Sequence, residues 1–152
     1  MVIFGALVVL TGATACIATP PPRVDVGVPI ADPEHGRQVE EHWDRIDPAL
    51  LAGEQSIVVR FQDWPVEMEE RGWQEMLSLE LAAGDAILDA GIGYLDGNGS
   101  DGTVYEVFFN GTDHLAMWSI IEPIYSDAPL AWSEVQGWDS LEAEEPSLLL
   151  TN

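Results

Sequence analysis

Ile92-Gly-Tyr-Leu-Asp-Gly-Asn-Gly-Ser-Asp-Gly-Thr-Val-Tyr-Glu-Val-Phe-Phe109 sets two extended runs, 92–95 and 103–109, on either side of a polar, glycine-rich segment. Within 96–102, Gly97, Gly99, Gly102 and Asn98 readily adopt positive φ, so the stretch predicts a β-hairpin.

Working outward, the residues before the hairpin predict a helix. From Val66 to Asp89 the acids Glu67, Glu69 and Glu70 come early, while Trp73, Met76, Leu77, Leu81, Ile87 and Leu88 recur near the helical period. Leu77-Ser-Leu-Glu-Leu81 alternates like a strand, but its flanking Glu, Gln, Ala and Met favour the helix. Gly84 interrupts this helix and Gly91 is a natural stop after it. Ser56-Ile-Val-Val-Arg-Phe-Gln62 is β-branched and aromatic and predicts a strand; Asp32-Pro33 opens an earlier helix over 33–46. After the hairpin, Asp113 caps a helix over 113–122 whose inner side should carry Leu115, Trp118, Ile120 and Ile121. Trp132–Trp138 alternates as a strand, and Leu148–Leu150 could add a short terminal pairing.

The resulting order from Ser56 is β-α-β-β-α-β. The expected fold class is therefore α+β, a ferredoxin-like βαββαβ sandwich with an extra N-terminal helix, with both sandwich helices on one face of a four-stranded antiparallel sheet. The other face would be open unless the 33–46 helix or the C-terminal tail covers it.

Ala90-Gly-Ile-Gly-Tyr-Leu-Asp-Gly-Asn98, the strand ending Phe108-Phe109 and the helix led by Asp113 resemble a set of small ferredoxin-like bacterial proteins without assigned activity. The shared pattern is a Gly-x-Gly turn out of a helix, an Asp-Gly-Asn hairpin, an apolar strand and an acid-capped helix. The resemblance covers about half of the chain; it implies the architecture and supplies no catalytic residues.

The 152-residue chain holds five arginines, no lysine and 27 acids, for a formal net charge of -22. With 47% apolar residues it has enough to build the core of one domain. Scattered arginines among so many carboxylates exclude the usual phosphate-neutralising route to nucleic acid, and a polybasic grip on anionic lipid. The acidic excess reads as solubility in concentrated salt, as codon bias, or as complementarity to a basic partner.

The first charged residue is Arg23. Val2–Leu10 is an unbroken apolar run followed by small residues, the pattern of a signal peptide over 1–15. Cys16 is the only cysteine. Ala13-Thr14-Ala15-Cys16 resembles the lipobox of bacterial lipoproteins, which implies diacylation of Cys16 as the first mature residue; Ala13 stands where that family usually has Leu, and no basic residue precedes the apolar run. Secretion without the lipid or with a single anchor is one alternative and no export signal at all is another, and the absent basic residue leaves open a start codon further upstream. Pro20-Pro-Pro22 and its neighbours predict an extended tether over 16–32, ahead of a single domain over 33–152.

The remaining chemistry points away from catalysis. Asp96, Asn98, Ser100 and Asp101 offer oxygens at alternate positions, but the sixth residue of an EF-hand would be Gly and the twelfth an acid, where Asp101 and Val107 stand. The segment is read as a turn. His35 and His42 lie seven residues apart, without the three or four ligands zinc needs, and are read as solvated or capping; His114 has no partner identifiable in the sequence. No nucleophile elbow or phosphate loop occurs, and 27 acids make any choice of a carboxylate pair uninformative. Asn98-Gly-Ser and Asn110-Gly-Thr match the glycosylation sequon in form, but both read as turns. Of the six tryptophans, Trp43, Trp73 and Trp118 should be core, and Trp64, Trp132 and Trp138 lie near strand ends where partial exposure is open; core packing is the favoured reading overall, with a partner or glycan surface the alternative.

The expectation is an exported, lipid-anchored, non-enzymatic protein of the cell envelope, periplasmic or on the outer surface. It would hold the membrane through Cys16, bind an envelope protein, and use no metal, cofactor or nucleic acid. Two alternatives are an acidic immunity- or inhibitor-type protein capping a basic partner and a small hydrolase using an acid pair.

Overall fold

A computed structural model describes residues 33–62, 70–101, 103–140 and 142–152. The expected signal peptide, Cys16 and the tether lie outside the described residues, as does Trp64. The described elements are α1 (Pro33–Asp44), β1 (Gln55–Phe61), α2 (Glu70–Asp89), β2 (Gly93–Ser100), β3 (Tyr105–Gly111), α3 (His114–Tyr125), β4 (Glu134–Trp138) and β5 (Leu148–Thr151), with a short 3-10 turn at Leu50–Ala52. One antiparallel five-stranded sheet has the order β2-β3-β1-β4-β5. This α+β arrangement is compatible with the ferredoxin-like expectation. The sheet has one strand more than the expected four, because Leu148–Thr151 pairs in full with β4.

The core lies between one sheet face and the helices. Ile57, Val59 and Phe61 of β1, Tyr105, Val107 and Phe109 of β3 and Val135 of β4 point into it, alternating with half-buried residues on the opposite face. α2 contributes Met76, Leu81, Ala83 and Ile87, and α3 contributes Met117, Trp118, Ile121 and Tyr125. Leu115 is 59% exposed, contrary to expectation, because the buried stripe of α3 runs through His114, Met117, Trp118, Ile121 and Tyr125. Asp113 caps α3 as its sequence indicates, accepting the Ala116 amide at 2.9 Å. The helix passes Pro123 and runs to Tyr125; Ser119, whose carbonyl loses its N–H partner there, is exposed.

Two glycines of α2 and its exit are dictated by geometry. A β-carbon at Gly84 would lie 2.6 Å from Leu95 Cβ and 3.0 Å from His42 Cε1, so the break seen in the sequence is where α1 and β2 approach the helix. Gly91, at φ 70°, ends α2 in a Schellman motif: Ile92 N–H donates to Ile87 O at 3.1 Å and Gly91 N–H to Leu88 O at 2.9 Å.

The hairpin is longer than its glycines suggest. β2 stays paired as far as Ser100, opposite Tyr105, and just beyond it Asp101 N–H donates to Val104 O at 3.3 Å. A β-bulge between Leu95 and Gly97 absorbs Asp96, with Gly97 at φ 149°. Glycine permits that backbone geometry, and pairing with β3 holds the rest of the segment extended.

Candidate functional site

Two features of the domain carry polar chemistry that its packing alone does not require. The first is inside. The buried stripe of α2 contains Glu80, 2% exposed, among Met76, Leu77, Leu81, Ala83 and Ile87. Its Oε1 accepts a hydrogen bond from the Tyr105 hydroxyl, and its Oε2 accepts one from Asn98 Nδ2 at 2.8 Å.

The bulge is what delivers Asn98. Tyr94 pairs with Asn110 on the face away from α2 and α3, and simple alternation would put Asp96 and Asn98 on that face too. The extra residue shifts the register, so Asn98 stands opposite buried Val107 and reaches Glu80 beneath α2.

Burial pushes the Glu80 carboxyl from its ordinary 4.5 up to about 7, against the downward pull of the two hydrogen bonds. Burial, and then the Glu80 charge, hold the Tyr105 hydroxyl far above its usual range. The Tyr125 hydroxyl, at the end of α3, is buried without a hydrogen bond and is likewise pushed well up by burial and by Glu80. Phe61 meets Tyr125 edge-on at 5.4 Å, and Trp73 meets Tyr105 edge-on at 5.6 Å, which keeps the surroundings apolar. Such a cluster can take up and release a proton near neutral pH. The sequence signal for it was a carboxylate spaced three and four residues from Leu77 and Met76, inside an apolar helical stripe.

The second feature is the other sheet face, which among the described residues is covered only at its β2 end, where Trp43 of α1, Ile46 and Leu50 bury Tyr94. One end row is Glu106, Arg60 and Glu134, adjacent in register on β3, β1 and β4. Arg60 Nη1 donates to Glu134 Oε1 at 3.0 Å, and its Nε lies 2.8 Å from Glu106 Oε1. The Glu134 bond, followed by the charge of Glu106, holds the guanidinium firmly protonated. Beside that row run Phe108, Val58, Gln136 and Leu149; beyond them lie Asn110, Ser56 and Trp138. Leu149 is 57% exposed and Phe108, Val58 and Trp138 are half-buried. This surface mixes apolar, aromatic and charged side chains.

The other residues singled out in the sequence are placed as follows. His42 is buried and structural, not solvated: its Nδ1 lies 2.8 Å from Asp85 Oδ1, and its Nε2 accepts the Leu95 amide at 3.2 Å. That bond satisfies a donor on the outer edge of β2, which the pattern of charges around His42 gave no means of foreseeing. His114 is buried too, with its backbone N–H and Nδ1 each 2.9 Å from Gln55 Oε1. His35 lies elsewhere on α1 and is half-buried.

Asp101 is spent on the turn, accepting from the amides of Thr103 and Val104 at 2.9 Å each, and these bonds lower its carboxyl below the usual range. Among the described residues no group of three His, Cys, Asp or Glu comes together as a metal site. Asn98 and Asn110 stand within paired strands, not in turns.

A shallow groove of about 570 Å³ is lined by Arg45, Asp47, Leu50, Leu88 and Asp89. Arg45 pairs there with Asp89 and also with Asp85, so these acids do not form a free catalytic pair. Trp118 is core as expected; Trp73 is half-buried against that core, and Trp43 is half-buried against a separate cluster of Leu50, Leu88 and Tyr94. Trp132 turns inward, meeting Trp118 edge-on at 5.4 Å, whereas Trp138 stands on the open face.

No helix among the described residues is long and apolar enough to cross a membrane. No protein-family model, curated protein or solved structure matches the chain.

Proposed function

We propose that the chain is an exported, lipid-anchored, non-enzymatic protein of the cell envelope whose domain binds another envelope protein through the open face of its sheet. The domain is a ferredoxin-like βαββαβ sandwich with β5 added beside β4. The observation that carries the binding reading is the uncovered face bearing Phe108, Val58, Leu149 and Trp138 next to the Glu106–Arg60–Glu134 row. Apolar and aromatic side chains framed by polar ones are the composition of protein interfaces. The apolar run 2–10, the small residues before Cys16 and the proline-rich 16–32 support export and a lipid tether.

Two experiments test the reading. Cys16→Ala should move the protein from the membrane fraction to the soluble one. Photo-crosslinking residues at positions 108 and 149 should give one discrete adduct in intact cells, while the same residue at position 115, which is exposed on α3, should not. Unchanged membrane partitioning removes the lipid anchor; crosslinks absent from the sheet face, or equal from both faces, remove the binding surface.

A second reading has an observation in its favour. Each arginine of the described residues is ion-paired: Arg37 with Glu34 and Glu41, Arg45 with Asp85 and Asp89, Arg60 with Glu106 and Glu134, and Arg71 with Glu75. Unpaired surface charge is therefore negative, as an inhibitor of a basic partner requires. That reading predicts a complex that weakens steeply with salt.

A further inference from the structure

Glu80 is a carboxyl sealed in the core with no cation beside it among the described residues. Three elements face it: β3 with Tyr105, β2 with Asn98 and α3 with Tyr125. On α2 itself the neighbouring ionisable residues are Glu75 and Asp85, each five positions away and so turned well around the helix. Glu75 pairs with Arg71, and Asp85 is held by His42 and Arg45 of the α1 side. On the sheet, Arg60, Glu106 and Glu134 point to the opposite face. Nothing in this set compensates a negative charge at Glu80 except two hydrogen-bond donors.

We propose that the Glu80–Tyr105–Asn98–Tyr125 cluster is a proton-operated latch that fastens α2 to β2 and β3 when Glu80 is neutral and loosens that packing when it is ionised. The neutral acid keeps both oxygens in the network, since the Tyr105 hydroxyl can rotate from donor to acceptor for the carboxyl proton. The ionised acid is a buried charge facing an apolar wall and a Tyr125 hydroxyl that offers it no hydrogen bond. Its stable state is one that admits water, and the proton passes to solvent. The elements affected are those carrying the core side of the sheet, so the latch acts whether or not the open face has a partner.

The sign follows from the folded carboxyl, about 7, against an ordinary 4.5. The stabilisation is fully present below 4.5 and is lost as pH rises towards 7. Over that window the contribution of Glu80 to the folding equilibrium constant falls about 300-fold. In the folded protein the latch itself opens as pH passes through neutrality.

The test uses the whole chain. Infrared difference spectra should show one protonated carboxylic acid band at pH 6 that disappears above neutral pH and is absent from Glu80→Gln. Hydrogen-exchange protection factors of α2 and β3 amides should fall across the same interval in the wild type. They should stay level in Glu80→Gln, whose neutral amide keeps the shape and hydrogen-bonding capacity of the acid. Should that variant not fold, the wild-type band and protection factors decide alone. A Glu80 band already lost by pH 5 overturns the proposal, and so does a band lost near neutrality with unchanged protection, since that acid would titrate without moving anything.

Discussion

His42 accepts the amide hydrogen of Leu95 at 3.2 Å and so joins the first helix to the outer edge of β2 across 53 residues of chain. A backbone N–H can only donate, so the proton of the neutral ring resides on Nδ1, facing Asp85 Oδ1 at 2.8 Å. Replacing His42 with Ala leaves both the Leu95 donor and a core cavity. The expected loss is about 2–4 kcal/mol in urea denaturation, from an unmade buried hydrogen bond plus lost packing. A loss below ~1 kcal/mol would show that water replaces the ring.

Gly84→Ala sets two effects against each other. Ala gains about 1 kcal/mol over Gly in a helix interior. Its β-carbon would meet Leu95 Cβ at 2.6 Å, which a side chain rooted in a strand cannot avoid by rotating. Overpacking at about 1–3 kcal/mol should win, giving a lower melting temperature; a stabilised variant would mean that α1 and β2 shift easily.

Tyr125→Phe removes a hydroxyl that is buried without a partner. The variant should be as stable as the wild type or more stable by about 1 kcal/mol, because an unsatisfied polar group is lost and the ring contact with Phe61 stays. A marked destabilisation would place a bound water on that hydroxyl.

Arg60→Met leaves Glu106 and Glu134 facing an uncharged side chain at one end of the open face. The expected cost is about 1 kcal/mol in dilute buffer, since the group is partly solvated. Molar salt should shrink the difference by screening the two carboxylates. An equal cost at both salt concentrations would assign the role of Arg60 to the packing of its aliphatic stem.

With a formal charge of -22, the wild-type protein should unfold at higher temperature in molar sodium chloride than in dilute buffer. Calorimetry across a salt series checks this, and a flat series would mean that its carboxylates are too far apart to repel.

Much of the domain is legible in the sequence because local chemistry carries it. The 3.6-residue stripe of α2, the Asp113 cap, the Gly91 stop and the β-branched runs of β1 and β3 state element type and order with no long-range information. The charge and the lack of lysine bound the partner chemistry in the same direct way.

What only the tertiary structure decided is where polar residues end up. Glycines at 97 and 99 read as a loop, yet both stay paired with β3, and a single bulged residue turns Asn98 from the open face to the helix side, where it stays exposed while its amide reaches Glu80. Glu80 sits at a position that reads as a helix surface or a helix core, until Tyr105 and Asn98, brought from 25 and 18 residues away, close over it. His42 looked solvent-facing among charges, and Leu115 looked buried among apolar neighbours. Both were reversed, because the orientation of a helix about its axis is set by what packs against it. Sequence periodicity specifies that a face is buried; the partners that reach a buried polar atom depend on register and packing between distant segments, which no local pattern encodes.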